Sequence, residues 1–100
     1  MNMQALMKQA QAMQRDMNNI KNEIDNSVFE GKSSLVTVEV KGTKEVVKVT
    51  FDEGVKDLIN DDISMVEDMI MVALNDAFSK VDKVTLEKMG KFANMMPGLM

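Results

Sequence analysis

One hundred residues bound a single domain, and an apolar content of 45% is enough to build its core. The lack of cysteine and histidine excludes disulfides, thiolate zinc sites, Cys or His nucleophiles and His proton shuttles. A formal charge of −4 counts against nucleic acid as a partner on composition alone, since phosphate repels an acidic chain at long range. The charge is split unevenly. Residues 1–50 carry seven lysines and arginines against six acids, whereas residues 51–100 carry five against ten. No apolar run reaches the roughly 20 residues of a membrane span. Met1 to Gln14 has too many glutamines for a signal peptide, so a soluble cytoplasmic protein is expected.

Met3, Leu6, Ala10, Met13, Met17, Ile20 and Ile24 follow one another at alternating gaps of three and four, the seam of a coiled coil. Helix 1 is expected from about Met3 to Ile24 or Asn26, a rod of roughly 36 Å. Either the rest of the chain or a second copy has to cover that seam, and a second copy is expected to cover much of it. On the outer surface Lys8 and Arg15 are a heptad apart with Lys21 placed near the same line, beside a polar row of Gln4, Gln11 and Asn18. Such a face is either simply solvated or a rail of cations and amides for phosphate oxygens.

Val36, Val38 and Val40 alternate with polar residues, as do Val47, Val49 and Phe51, the pattern of strands with one buried face. A two-residue turn at Gly42-Thr43 predicts Lys41 opposite Lys44, Val38 opposite Val47 and Val36 opposite Val49, with a type II′ turn. The two lysines at the tip either splay into water or hold an anion between them. Val28 to Lys32 supplies a third strand before a Ser33-Ser34 turn, completing an antiparallel meander.

Leu58-Ile59 reads as a connecting segment or short turn after Asp52-Glu53-Gly54. A second helix starts near Asp61-Asp62, with Ser64 and Glu67 as a capping box. Ile63, Val66, Ile70, Ala73, Ala77, Val81 and Val84 form its apolar stripe, widened by Met69, Leu74 and Phe78. Gly90 is the expected stop, which makes 1–90 one dimerising α+β domain and 91–100 a flexible tail. The acids between Asp52 and Asp68 lack calcium-loop spacing and read as helix-start and loop charges, so no metal is assigned. The twelve methionines read as adaptable core filler. No P-loop, G-x-G-x-x-G or catalytic triad is present; catalytic, cofactor-binding and metal residues are all assigned as none.

The succession of strings resembles the YbaB/EbfC family of small bacterial nucleoid-associated proteins. Met7 to Gln14 (MKQAQAMQ) resembles its first-helix signature, and Leu35-Val36-Thr37-Val38 with Gly42 its central strand and turn. Phe51-Asp52, Asp61-Asp62, Val66 to Met69 and Ala73 to Ala77 are similar to its second-helix region, and Pro97-Gly98-Leu99 to its tail. The chain departs from the family in having Lys32-Ser33-Ser34 where a glycine-rich turn is common, and in its acidity. The resemblance implies a tweezer-like homodimer: an α+β core of helix, three strands and helix, with long helices projecting. It also implies binding of double-stranded DNA with weak sequence preference at the nucleoid, affecting nucleoid organisation and gene expression.

The reading that results is a non-catalytic DNA-binding homodimer with no cofactor, no small-molecule substrate and no membrane partner. Lys8, Arg15 and Lys21 are the first candidates for phosphate contact, then Lys41, Lys44 and Lys48, with Gln11 and Asn18 adding neutral hydrogen bonds. The rival is a dimeric protein-interaction scaffold whose methionine-bearing helices and acidic second half dock another protein. An enzyme stands a distant third, with only Asp, Glu, Lys, Ser and Thr to work with.

Overall fold

A computed structural model of the chain describes residues 2–93. Helix α1 (Met3–Asn26) begins where the Asn2 side chain accepts the Gln4 N–H at 3.0 Å. It ends where Ser27 turns extended, its hydroxyl donating to the Glu23 carbonyl at 2.7 Å. Three antiparallel strands follow, β1 (Val28–Ser33), β2 (Val36–Lys41) and β3 (Val46–Phe51), in spatial order β1-β2-β3. A short helix α2 (Val55–Asp61) and a long helix α3 (Ile63–Ala93) complete the α+β order expected from the sequence.

The β2–β3 register differs from the expected one. Val38 pairs with Val49 and Val36 with Phe51, two residues along from the pairing that a Gly42-Thr43 turn predicts. The connection is longer: the Lys44 N–H donates to the Lys41 carbonyl and the Lys41 N–H to the Glu45 carbonyl, both at 2.8 Å. Lys41 therefore faces Glu45 rather than Lys44. Lys44 takes the left-handed position of a three-residue hairpin loop, with φ of 71°. A lysine there costs about 1 kcal/mol relative to a glycine. A second irregularity sits at Val40, which pairs with Val46 and leaves Val47 as an extra residue. A shift of two preserves side-chain alternation, so Val49 and Phe51 still share a face with Val36 and Val38. The turn between β1 and β2 is Ser34-Leu35, one residue later than expected, with Ser34 at φ 46°.

The core is the β2 valine row, Val36, Val38 and Val40, packed on Ala73, Ala77 and Val81 of α3. Each valine contributes about 1.5–3 kcal/mol by leaving water. Phe29, Met69, Ile70, Leu74 and Phe78 seal the margins. The small residues serve close approach: Gly31 on β1 lies against the Ala73 carbonyl and the Ala77 backbone, and a Cβ at Gly31 overlaps both. Helix α3 spans β1 and β2 but leaves β3 uncovered. Val49 and Phe51 are 45% and 46% exposed on the same side of the sheet as the wholly buried β2 valines. The two sheet edges also differ. Along β1, Lys80 donates its ammonium to the Glu30 carbonyl at 2.7 Å and Asp76 accepts the Lys32 N–H at 3.1 Å. Side chains of α3 thus occupy two of the outer backbone groups of β1.

Three further expectations at the second helix are corrected. The segment around Leu58-Ile59 is a seven-residue helix, α2, rather than a connecting segment or short turn. Asp62, not Ser64, caps α3, accepting the Met65 N–H at 3.3 Å and the Ser64 hydroxyl at 2.7 Å. Gly90 does not stop α3, which runs on to Ala93 because Phe92, buried against α1, anchors the extra turn. Of the expected tail, 91–93 are helical and 94–100 lie outside the described residues.

Helices α1 and α3 lie antiparallel. Ile24 sits near Val81, and further out Phe92 sits beside Met13. Within the chain α3 covers the inner half of the α1 seam, burying Met17 and Ile24 and half-burying Met13 and Ile20. The outer half stays open, with Met3 75% and Leu6 44% exposed.

Candidate nucleic-acid interface

Helical geometry separates the α1 cations into two groups. Lys8 and Arg15, seven residues apart, project from the side opposite the seam, and both are exposed. Among the described residues neither has an acidic partner. Gln11 and Asn18 are exposed on an adjacent row, where Asn18 accepts a 3.4 Å hydrogen bond from Gln14. Lys21 departs from the Lys8–Arg15 line. Six residues turn a helix by one and two-thirds turns, which swings Lys21 about a third of a turn toward the seam flank. There it pairs with Asp25 at 2.8 Å and faces the hairpin tip.

The hairpin cations also divide. Lys41 and Lys48 stand on the sheet face away from α3, with Lys41 opposite Val28 and Lys48 opposite Glu39. Lys32, across from Thr37, shares that face and is a cation that sequence spacing did not single out. The register that places it there becomes visible only once β1 is paired. Lys44 points the other way, to Asp82 of α3 at 2.9 Å. Gly42 fixes this tip. Its N–H donates to the Ser27 carbonyl at 3.2 Å, and its backbone lies against Ile24 at the end of α1. Lys21 and Lys44 consequently line one cleft of about 490 Å³ between α1, the tip and α3. The eight candidates, expected as a helix group and a hairpin group, thus fall into three: an outer helix rail, an outer sheet face and an inner cleft.

Acids on α3 and α1 act as internal partners. Glu23 is held below the usual carboxylate range by the 2.8 Å hydrogen bond from Lys88 and by that ammonium's charge. Asp76 is lowered chiefly by the Lys32 N–H and further by Lys80, against some opposing desolvation. A carboxyl lowered in the folded state adds stability that is present above its unfolded value, about 3.9, and fades as pH falls through its folded value. Thermal unfolding followed from pH 5 down to about pH 2.5 is therefore expected to show a shallower loss of Tm for Asp76→Asn than for the wild type. Parallel curves would remove Asp76 as an acid-sensitive tie.

Among the described residues no three acids gather to hold a metal ion, and no helix is long and apolar enough to cross a membrane. Among the same residues no polar or charged side chain is buried. The fold and its surfaces define a small α+β protein that carries its polar chemistry outside, on a projecting helix and an open sheet. The sequence model of the YbaB/EbfC DNA-binding family matches residues 1–96. The chain is 43% identical over 99 residues to nucleoid-associated protein str1598 of Streptococcus thermophilus (strain CNRZ 1066), covering 97% of this chain and 98% of that protein. It is 40% identical over 101 residues to a nucleoid-associated protein of Ligilactobacillus salivarius (strain UCC118), covering 99% and 95% respectively. Its fold is similar to the crystal structure of the uncharacterized protein HP0035 from Helicobacter pylori, with a TM-score of 0.68. That likeness carries 22% identity over 95% of this chain and 97% of the other. The chain belongs to the YbaB/EbfC DNA-binding family.

Proposed function

We propose that this chain is a non-catalytic, nucleoid-associated protein of the bacterial cytoplasm. It binds double-stranded DNA as a homodimer with weak sequence preference, affecting nucleoid organisation and gene expression. The observation that carries the DNA reading, beside family membership, is the Lys8–Arg15 rail. These two cations lie on the solvent side of a projecting helix, and the carboxylates that neutralise other lysines do not reach them. Contacts of this kind address phosphates and carry little base information, which accounts for weak sequence preference. The dimer reading rests on β3, where an apolar row and an open edge both lack a cover. A second copy seated there buries the row and satisfies the edge.

The test is a gel shift on unrelated duplexes across a salt series. Retardation is expected to fade with salt and to ignore sequence, with log K falling against log salt by about 0.9 per phosphate contact. Lys8→Ala with Arg15→Ala is expected to weaken binding at low salt and to flatten that slope by about 1.8 for each protomer's rail in contact. Unchanged binding in the double variant would exclude the helix rail. No retardation of the wild type at low salt would favour the protein-interaction scaffold instead.

A further inference from the structure

We infer that the cleft between α1, the β2–β3 tip and α3 is a phosphate-binding notch of the DNA surface, held shut in the free chain by Asp82 and Asp25. The inference rests on the DNA-binding reading above and adds a site and its control. Lys21 and Lys44 reach this cleft from different elements, and each ammonium is met by a carboxylate, at 2.8 Å from Asp25 and 2.9 Å from Asp82. A carboxylate presents an ammonium with the same paired anionic oxygens as a phosphodiester. The acids thus occupy the place a DNA phosphate would take.

The tip is built to aim Lys44 inward. Gly42 is pinned to the end of α1, Lys44 adopts a backbone angle that lysine rarely takes, and its ammonium reaches Asp82 on α3. Thr43, beside it, also lines the cleft. The closing pair is exposed, at 52% for Lys44 and 65% for Asp82, so water and salt screen it and opening it costs little. A small monovalent anion gains little by displacing Asp82. A polyanion already engaged at the helix rail gains a further contact and releases counterions. The other interhelix or strand-side pairs play different parts. Lys80 is tied to a strand carbonyl, and Lys88 joins α3 to Glu23 outside the cleft.

The experiment is a double-mutant cycle in the full-length chain, read as affinity for a fluorescent duplex of unrelated sequence at several salt concentrations. Asp82→Asn keeps the side-chain shape and removes the competing charge; affinity is expected to rise about two- to fivefold. Lys44→Met alone is expected to cost less than that factor, yet in the Asp82→Asn background it should cancel the gain. Glu45→Gln, which removes a neighbouring acid that forms no salt bridge among the described residues, controls for the general charge change. Its effect should persist when Lys44 is replaced. If the wild type binds with the usual salt dependence but Asp82→Asn adds nothing, or its gain survives Lys44→Met, the notch is overturned and the DNA reading stands. If neither protein binds at low salt, the DNA reading falls and takes the notch with it. Binding by Asp82→Asn alone would support a closed notch directly.

Discussion

Gly31→Ala is expected to lower stability by about 3 kcal/mol or more, at the upper end of overpacking changes. In a domain of this size that corresponds to a fall in Tm of at least about 12 °C. The added methyl has no flexible neighbour to push aside: it meets the Ala73 carbonyl and the Ala77 backbone nitrogen, both fixed in the α3 ladder. Relief requires β1 to move away from α3. That motion would open the contacts that bury the β2 valine row and break the Asp76 and Lys80 bonds to β1. Gly90→Ala provides the comparison. A Cβ at Gly90 meets nothing within 4 Å, and its helical setting favours alanine by about 0.5–1 kcal/mol. Thermal melts of the two variants are expected to move in opposite directions from the wild type. A Gly31→Ala melt within about 2 °C of the wild type would show that strand and helix are less tightly apposed than described.

Val49→Asp combined with Phe51→Asp is expected to convert the proposed dimer to a folded monomer. Both side chains lie on the α3 side of β3, yet each is nearly half exposed, so a charge there is harmless to the isolated chain. Under a second copy each carboxylate would be stripped of water without a partner, at about 3–5 kcal/mol apiece. Two of them weaken association by more than about a thousandfold. Sedimentation velocity should then find the wild type at twice the chain mass and the variant at one, with helical circular dichroism retained. A wild type that sediments as one chain at high concentration would sink the dimer. A variant that still pairs would place the interface elsewhere, the open outer half of the α1 seam being the next surface to alter.

Much of this architecture is legible from periodicity. Alternation along Val36–Val40 and three-four spacing along Met3–Ile24 depend on geometry that any strand or helix must obey, and both elements lie where the pattern puts them. What failed depended on local competition. Gly42 invites a two-residue turn, but the tip must also meet the end of α1, and a three-residue loop with Lys44 left-handed achieves that contact. Gly90 is a natural helix end when nothing follows it, but burial of Phe92 outweighs roughly 1 kcal/mol of glycine propensity. Ser64 has capping-box spacing to Glu67, yet Asp62 stands two residues earlier with a better-placed carboxylate.

The candidate site was legible residue by residue and illegible as a set. Lys8 and Arg15 share a face because seven residues nearly complete two turns. Lys21 does not; its partner Asp25 stands at the ordinary four-residue helical spacing, whereas Asp82, which pairs with Lys44 from another element, reveals nothing of that role in a linear reading. The acidity that argued against nucleic acid looks different once those pairs are seen. Part of it sits on the cations themselves, which makes net charge a poor guide to what each face offers a polyanion.

The unequal edges of the sheet set a limit on growth. A strand that has both flanks free can add neighbours without end, the route by which β proteins become fibres. Here Asp76 and Lys80 plug one flank from within the same chain, so the sheet has a combining valence of one. Whatever strand joins β3 finishes the structure, and a second molecule of this protein joined there would present only plugged flanks to a third. Two exposed side chains on α3, neither in the core, therefore mark the difference between an assembly that closes and one that propagates.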